Sequence, residues 1–193
     1  MKDIADFERK LAEIIGKPTT LRPFVCEGSP LDCEVFIIGF NPATEMSEDW
    51  WQFWRKDYGF AKDLWLKVYK KERASRPLEV GKTRRSAVSN TRRVIEWVLE
   101  ASDPVRCLET NIYAAASKKA SDLEIEKRTT EVVDFLIKYI EPKHIVTHGK
   151  KAGEYIQHIK NSSYDVFNEK HFRFLSKEAA RKLGHKIKLS QTQ

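Results

Sequence analysis

"EVFIIGFNPATEMSEDWWQFW", residues Glu34 to Trp54, changes character at its middle. Val35 to Ile38 is an unbroken β-branched and aromatic run, the pattern of a strand buried on both faces. Gly39 permits a sharp exit from that strand and a close approach of backbone to ligand. Pro42 restricts Asn41 to an extended backbone and so fixes where its side chain aims. An amide held in this way donates to and accepts from water without changing charge. Taken alone, Asn-Pro is also an ordinary turn.

On either side of this stretch, helical and strand patterns alternate. Ile4, Phe7, Leu11, Ile14 and Ile15 share one helical face, and Gly16 and Pro18 stop that helix. Residues from Arg22 to Leu31 read as loop. Phe60 to Tyr69 predicts a helix, and Ser75 to Ser89 a polar, basic surface loop. Ser89 or Asn90 caps a helix that turns Val94, Ile95, Val98 and Leu99 inward. Cys107 to Tyr113 is a second strand. Ser121 to Glu124 fits a capping box that opens a helix carried on by Val132, Val133, Leu136, Ile137 and Ile140, with Pro142 as its stop. His144 to Thr147 is a third strand, Gly149 opens a helix to about Ile159, and Tyr164 to Leu175 holds a fourth strand. Ser176 caps a last helix containing Ala179, Ala180 and Leu183.

This alternation predicts an α/β fold, a three-layer α/β/α sandwich around a central, mainly parallel four-stranded sheet. The 193 residues suit a single domain, 1–193, with an N-terminal helix in residues 1–20 packing on the core. Ligands of such sheets lie beyond the carboxyl ends of the strands. That rim would carry Gly39 to Thr44, Asn111 to Ser117, and His148 with Gly149.

Composition narrows the partners. The formal net charge of +7 favours an acidic partner such as nucleic acid, although a solvated basic surface would give the same count. The three cysteines, Cys26, Cys33 and Cys107, have no zinc-type pairing and read as reduced thiols. The first residues are charged and helical rather than signal-like, and no apolar stretch is long enough to span a bilayer. A soluble, cytoplasmic, monomeric protein without a membrane partner is expected.

Several residues carry two readings. Trp50, Trp51, Phe53 and Trp54 could stack on bases, but tryptophan bodies are usually buried, which favours packing over the core. Glu45, Glu48 and Asp49 would repel phosphates and are better suited to capping or solvent. Arg84, Arg85, Arg92 and Arg93 flank a helix start, where phosphate is favoured; Arg92 could instead pair with Glu96 one turn on. Lys118, Lys119, Lys150 and Lys151 follow the rim strands. Lys150 and Lys151 have the wrong sign for a helix start, so an anionic partner explains them better. His148 is either a site group or a satisfied structural histidine; His144, His158 and His185 show no pattern.

The motifs resemble those of the uracil-DNA glycosylase superfamily. "GFNPAT" is similar to the Gly-x-Asn-Pro-Gly motif of its mismatch-specific and single-strand-selective branches. "CLETNIYAAASKKASD" resembles its Thr-Asn-hydrophobic segment, "TRRVIEWVLEA" fits the helix before it, and "EPKHIVTHGKKAGEYI" resembles its third-strand unit. The resemblance covers roughly Leu21 to Leu189. It implies a monofunctional DNA base-excision glycosylase that needs no cofactor or metal and hydrolyses the bond between uracil, or a related base, and deoxyribose. Asn41 would position the attacking water, with Gly39, Phe40 and Pro42 forming the surrounding pocket. Asn111 would read the edge of the extruded base, and Phe60 or Tyr58 would stack on it.

The sequence departs from the pattern at Ala43, where the family has glycine, and in lacking an aspartate to activate water. Slow chemistry is therefore expected. The final motif has "HFRFLS" as its nearest counterpart, with His171 in the catalytic place, Phe172, Arg173 and Phe174 as wedge candidates, and Arg173 also on the DNA. A family member that binds DNA without cleaving it, and a hydrolase of free nucleosides or nucleotides, are the competing readings.

Overall fold

The computed structural model describes residues 2–78, 80–160 and 163–190. The strands are β1 (Val35–Gly39), β2 (Trp54–Arg55), β3 (Gly59–Phe60), β4 (Cys107–Asn111), β5 (His144–His148) and β6 (Asp165–Glu169). The α-helices are α1 (Ile4–Ile15), α2 (Lys62–Ser75), α3 (Asn90–Ser102), α4 (Glu131–Ile140), α5 (Lys150–Ile159) and α6 (Lys177–Ser190). β1, β4, β5 and β6 form one all-parallel sheet in the order β4-β1-β5-β6. β2 and β3 make a separate two-residue ribbon.

Side chains of a strand point alternately to its two faces, and here each face has its own core. Phe36, Ile38, Leu108 and Ile145 pack with α1, α4, α5 and the tryptophan segment. Val35, Ile37, Cys107 and Val146 pack with α3 and α6. Hydrophobic residues on both faces are why β1 reads as a continuous apolar run. The two helices of the second layer touch closely at Gly184, where a Cβ would lie 2.5 Å from the Val98 carbonyl oxygen. Among the described residues no helix is long and apolar enough to cross a membrane.

The expected elements are present, but the helix expected over Phe60 to Tyr69 runs Lys62–Ser75 with Phe60 in β3, and two further elements shift. Ser121 to Glu124 does not open a helix: residues 120–122 and 125–127 form single 3-10 turns, and α4 begins at Glu131. Leu123 is buried there, but the segment offers no apolar stripe to hold a longer helix against the core. The fourth strand is confined to Asp165–Glu169, and His171 caps a short 3-10 turn over Phe172–Phe174. Trp50, Trp51 and Phe53 are buried, as the packing reading expects, and all three cysteines are free and buried. Asp49 caps the Trp50–Phe53 turn by accepting the Trp51 N–H, and it also accepts the Thr19 N–H.

Candidate active site

Gly39 sits where β4, β1 and β5 end side by side. A Cβ on it would lie 2.7 Å from Asn111 Oδ1 and 2.8 Å from His148 Nε2. Only a residue without a side chain lets those two groups converge above the middle strand. The chain after β1 is then zipped to the chain after β4. Gly39, Phe40 and Pro42 carbonyls accept the N–H groups of Ile112, Tyr113 and Ser117 at 2.9, 3.0 and 2.9 Å.

Within this zipper Asn41 Nδ2 donates to the Ser117 carbonyl at 3.0 Å and to Ser117 Oγ at 2.9 Å. A carbonyl can only accept, so the amide nitrogen must face Ser117 and Oδ1 is left as the free acceptor. Ser117 Oγ itself donates to the Lys119 carbonyl at 2.7 Å. Asn41, Asn111, Phe40, His148 and His171 line one cavity of about 170 Å³. The Asn111 side chain makes no hydrogen bond to any described residue, so its donor and acceptor are both available to a ligand.

The two histidines form the opposite wall. His148 stacks on Phe172 at 4.4 Å and meets the His171 ring edge-on at 5.2 Å. Burial, then the neighbouring His171 and Arg92, pull its pKa down to about 3, so the ring is neutral. Among the described residues its buried Nδ1 has no hydrogen-bond partner, which weighs against the satisfied structural histidine. His171 Nδ1 accepts the Arg173 N–H at 3.2 Å, so the neutral ring carries its proton on Nε2 as a donor. Burial, and then Arg173, also lower the His171 pKa.

Deeper in the cavity lies an ionic cluster that the sequence reading missed. Glu109 of β4 pairs with Arg92 at 2.6 Å; Arg92 also meets Glu96 at 3.2 Å, and Lys62 meets Glu96 at 2.9 Å and Glu109 at 3.9 Å. The Glu109–Arg92 contact is close but off the N–H direction, and neither Glu109 oxygen receives an aligned hydrogen bond. Burial opposes the charge on Arg92, but Glu109 and Glu96 outweigh it and raise its pKa. Arg22 completes the lining. The signal for this cluster was Glu109, a carboxylate set among apolar residues in a strand buried on both faces.

No protein-family model matches this chain, and no curated protein matches it either.

Other expected site residues lie elsewhere. Phe60 cannot stack on a ligand: it is fully buried, lying flat on Trp50 at 5.2 Å and edge-on to Phe53 at 6.0 Å. Burial of its whole ring against three other aromatics wins over exposure to a cavity. Tyr58 is exposed and donates to Glu27, away from the cavity lining. Arg92 is 6 % exposed and tied into the ion-pair cluster, so it does not present itself to phosphate. Phe172 is the buried floor under His148 rather than a wedge. Phe174 is 62 % exposed beside His171, with the Arg173 guanidinium 4.5 Å from its ring centre.

The remaining cations divide in two. Arg85 donates to the Pro77 carbonyl and Arg93 to Ser86 Oγ, so both brace the loop before α3. Arg84, Lys118, Lys119, Lys150, Lys151 and Arg173 are exposed. Lys150 also meets Glu154 at 3.7 Å, an exposed pair of little energetic weight. Lys151 lies 5.0 Å from the Phe40 ring centre, and that ring meets Tyr113 edge-on at 5.0 Å. Among the described residues no group of three His, Cys, Asp or Glu side chains is placed to hold a metal ion.

Proposed function

We propose that the chain is a DNA base-excision glycosylase that hydrolyses the N-glycosidic bond of uracil or a related base. The observation that carries this reading is the pinned Asn41 amide sharing one rim cavity with the unpartnered Asn111. A cavity of about 170 Å³ has the capacity for one six-membered ring, since an engineered cavity of about 150 Å³ takes benzene. The parallel α/β sandwich is the architecture that the motif resemblance implies. The exposed cations suit a phosphate backbone.

Asn41 Oδ1 accepts a hydrogen bond from the attacking water and orients its lone pair toward the sugar carbon. Asn111 offers one donor and one acceptor to the base edge. With Phe60 in the core, Phe40 takes the stacking role, worth roughly 1–3 kcal/mol against the few kcal/mol that base extrusion costs. His171 Nε2–H donates to a base oxygen as negative charge grows there. One such donor is worth about 3–4 kcal/mol of barrier. Phe174 is the exposed apolar side chain available to fill the vacated stack.

The test is a uracil-containing oligonucleotide, single- or double-stranded, incubated with the pure protein and with Asn41→Ala. Wild type should form abasic sites at a rate at least about 10²-fold above the variant. Equal product from the two overturns the reading.

A second reading, recognition of a base without cleavage, gains from Glu109. It is the only carboxylate lining the cavity among the described residues, and Arg92 occupies it. Tight, salt-dependent DNA binding without abasic product would favour it.

A further inference from the structure

The ionic cluster behind the two asparagines does not balance. Arg92 of α3 and Lys62 of α2 are both engaged with the carboxylates of Glu96 and Glu109. Arg22, which lines the cavity together with Glu109 and Arg92, adds a third cation, and one positive charge is left over. Among the described residues the Arg22 guanidinium makes no hydrogen bond and no ion pair; it lies 5.9 Å from the Trp65 ring centre. Burial, then Arg92, draw its pKa down to about 10, so it remains protonated at neutral pH. The half-buried guanidinium is thus a cation on the cavity lining that no carboxylate claims. The Arg22 backbone is pinned, its N–H donating to the Ala114 carbonyl at 2.9 Å, in the chain segment that follows Asn111.

Its surroundings also favour an anion. Ser89 and Thr91 at the start of α3 line the same cavity, so the positive end of that helix adds to the field. The other titratable groups lining the space are Tyr69 of α2, Glu109 of β4, Arg92 and the two neutral histidines. None supplies a free negative charge, because Glu109 is already claimed.

We infer that Arg22 is a catalytic residue that neutralises the negative charge appearing on the departing base. The inference rests on the glycosylase reading. As the C1′–N bond breaks, its electron pair leaves with the base nitrogen, and the resulting anion lies against the guanidinium. The water oxygen bonds to C1′ and its proton passes to solvent. Solvent protonates the base after release, so the overall reaction consumes one water and needs no other reactant. A charged guanidinium serves here because Glu109, its counter-charge, is held by Arg92 and Lys62.

The test compares wild type, Arg22→Met and Arg22→Lys in single-turnover excision of uracil and of 5-fluorouracil in the same oligonucleotide. 5-Fluorouracil gives the more stable anion and needs less help. Arg22→Met should slow uracil about 10²- to 10³-fold, slow 5-fluorouracil markedly less, and be partly rescued by Arg22→Lys. Its melting temperature should change little, because the half-buried guanidinium makes no hydrogen bond or ion pair that holds the fold; a residue retained for folding would lower it. Equal slowing of both bases, or no slowing, overturns the role of Arg22 while leaving the glycosylase reading intact.

A separate measurement needs no excision: binding of free 5-fluorouracil to the intact protein as pH rises through the ionisation of the base. Wild-type affinity should increase and Arg22→Met should flatten the increase. If that holds while no oligonucleotide is cleaved, the anion site stands and the glycosylase reading falls. If wild-type affinity is indifferent to base ionisation, the anion site itself is refuted.

Discussion

Between Gly39 and Phe60 the chain builds two neighbouring corners of opposite character. Around Gly39, hydrogen-bonding capacity is unspent: Asn41 Oδ1, the whole Asn111 amide, and the buried His148 Nδ1. Around Phe60 no buried side-chain polar atom is left unpaired among the described residues. The Trp50 and Trp51 indole N–H groups donate to the Phe24 and Gly16 carbonyls at 3.1 and 2.7 Å, and the Trp54 N–H donates to Glu8 at 2.8 Å. Both corners are made from conspicuous residues close in sequence. The difference teaches that a binding corner is marked by polar groups folding leaves unpaired, not by a density of aromatic rings.

Phe60→Ala sharpens the contrast most. Removing a fully buried ring from this cluster should cost about 3–5 kcal/mol of stability in denaturant unfolding. Excision per folded molecule should be unchanged. A large loss of activity with little loss of stability would instead return Phe60 to the site and erase the contrast.

Acid titration tests the unpaired histidine. The folded-state pKa of His148 is about 3, below the ordinary 6.5, so on acidification the unfolded chain takes up its proton first. The stability held by the neutral ring is therefore complete above pH 6.5 and is lost as pH falls toward 3. The loss at pH 5 should be on the order of 2 kcal/mol. His171 shifts in the same direction and adds to the slope. His148→Asn should show a shallower decline between pH 6.5 and 5 in unfolding measurements; an unchanged slope would mean that the ring finds a partner.

Ser117→Ala probes the smallest step. It removes the hydroxyl half of the grip on Asn41 and keeps the carbonyl half. About 1 kcal/mol of positioning should be lost, which is roughly fivefold in excision rate, with little change in melting temperature. A rate equal to wild type would show that the carbonyl alone fixes the amide.

Much of this was readable along the chain. The apolar run at Val35 to Ile38, the caps at Ser89 and Ser176, and the stop at Pro142 act through neighbours a few residues away, so their spacing carries their meaning. The rim positions of Asn41 and Asn111 were legible for the same reason: Asn111 ends the strand β4, and Asn41 stands two residues past the end of β1. Phe60 and Tyr58 were misread because their roles depend on partners far along the chain, whereas Arg92 makes the Glu96 pair that its spacing offered and adds the distant Glu109. Trp50 and Phe24 cover Phe60, Glu27 holds Tyr58 outside, and Glu109 claims Arg92. Arg22 lay in a stretch that read as plain loop.

Local chemistry in the sequence therefore set the strands, the helix ends and the two amides, because backbone preference and capping depend on residues within a turn or two. That Phe60 would join the tryptophans in the core, that Glu109 would claim Arg92 and that Arg22 would be left without a partner were decided only in three dimensions. Burial and ion pairing are properties of the groups that surround a side chain, and the sheet order gathers those groups from distant parts of the chain.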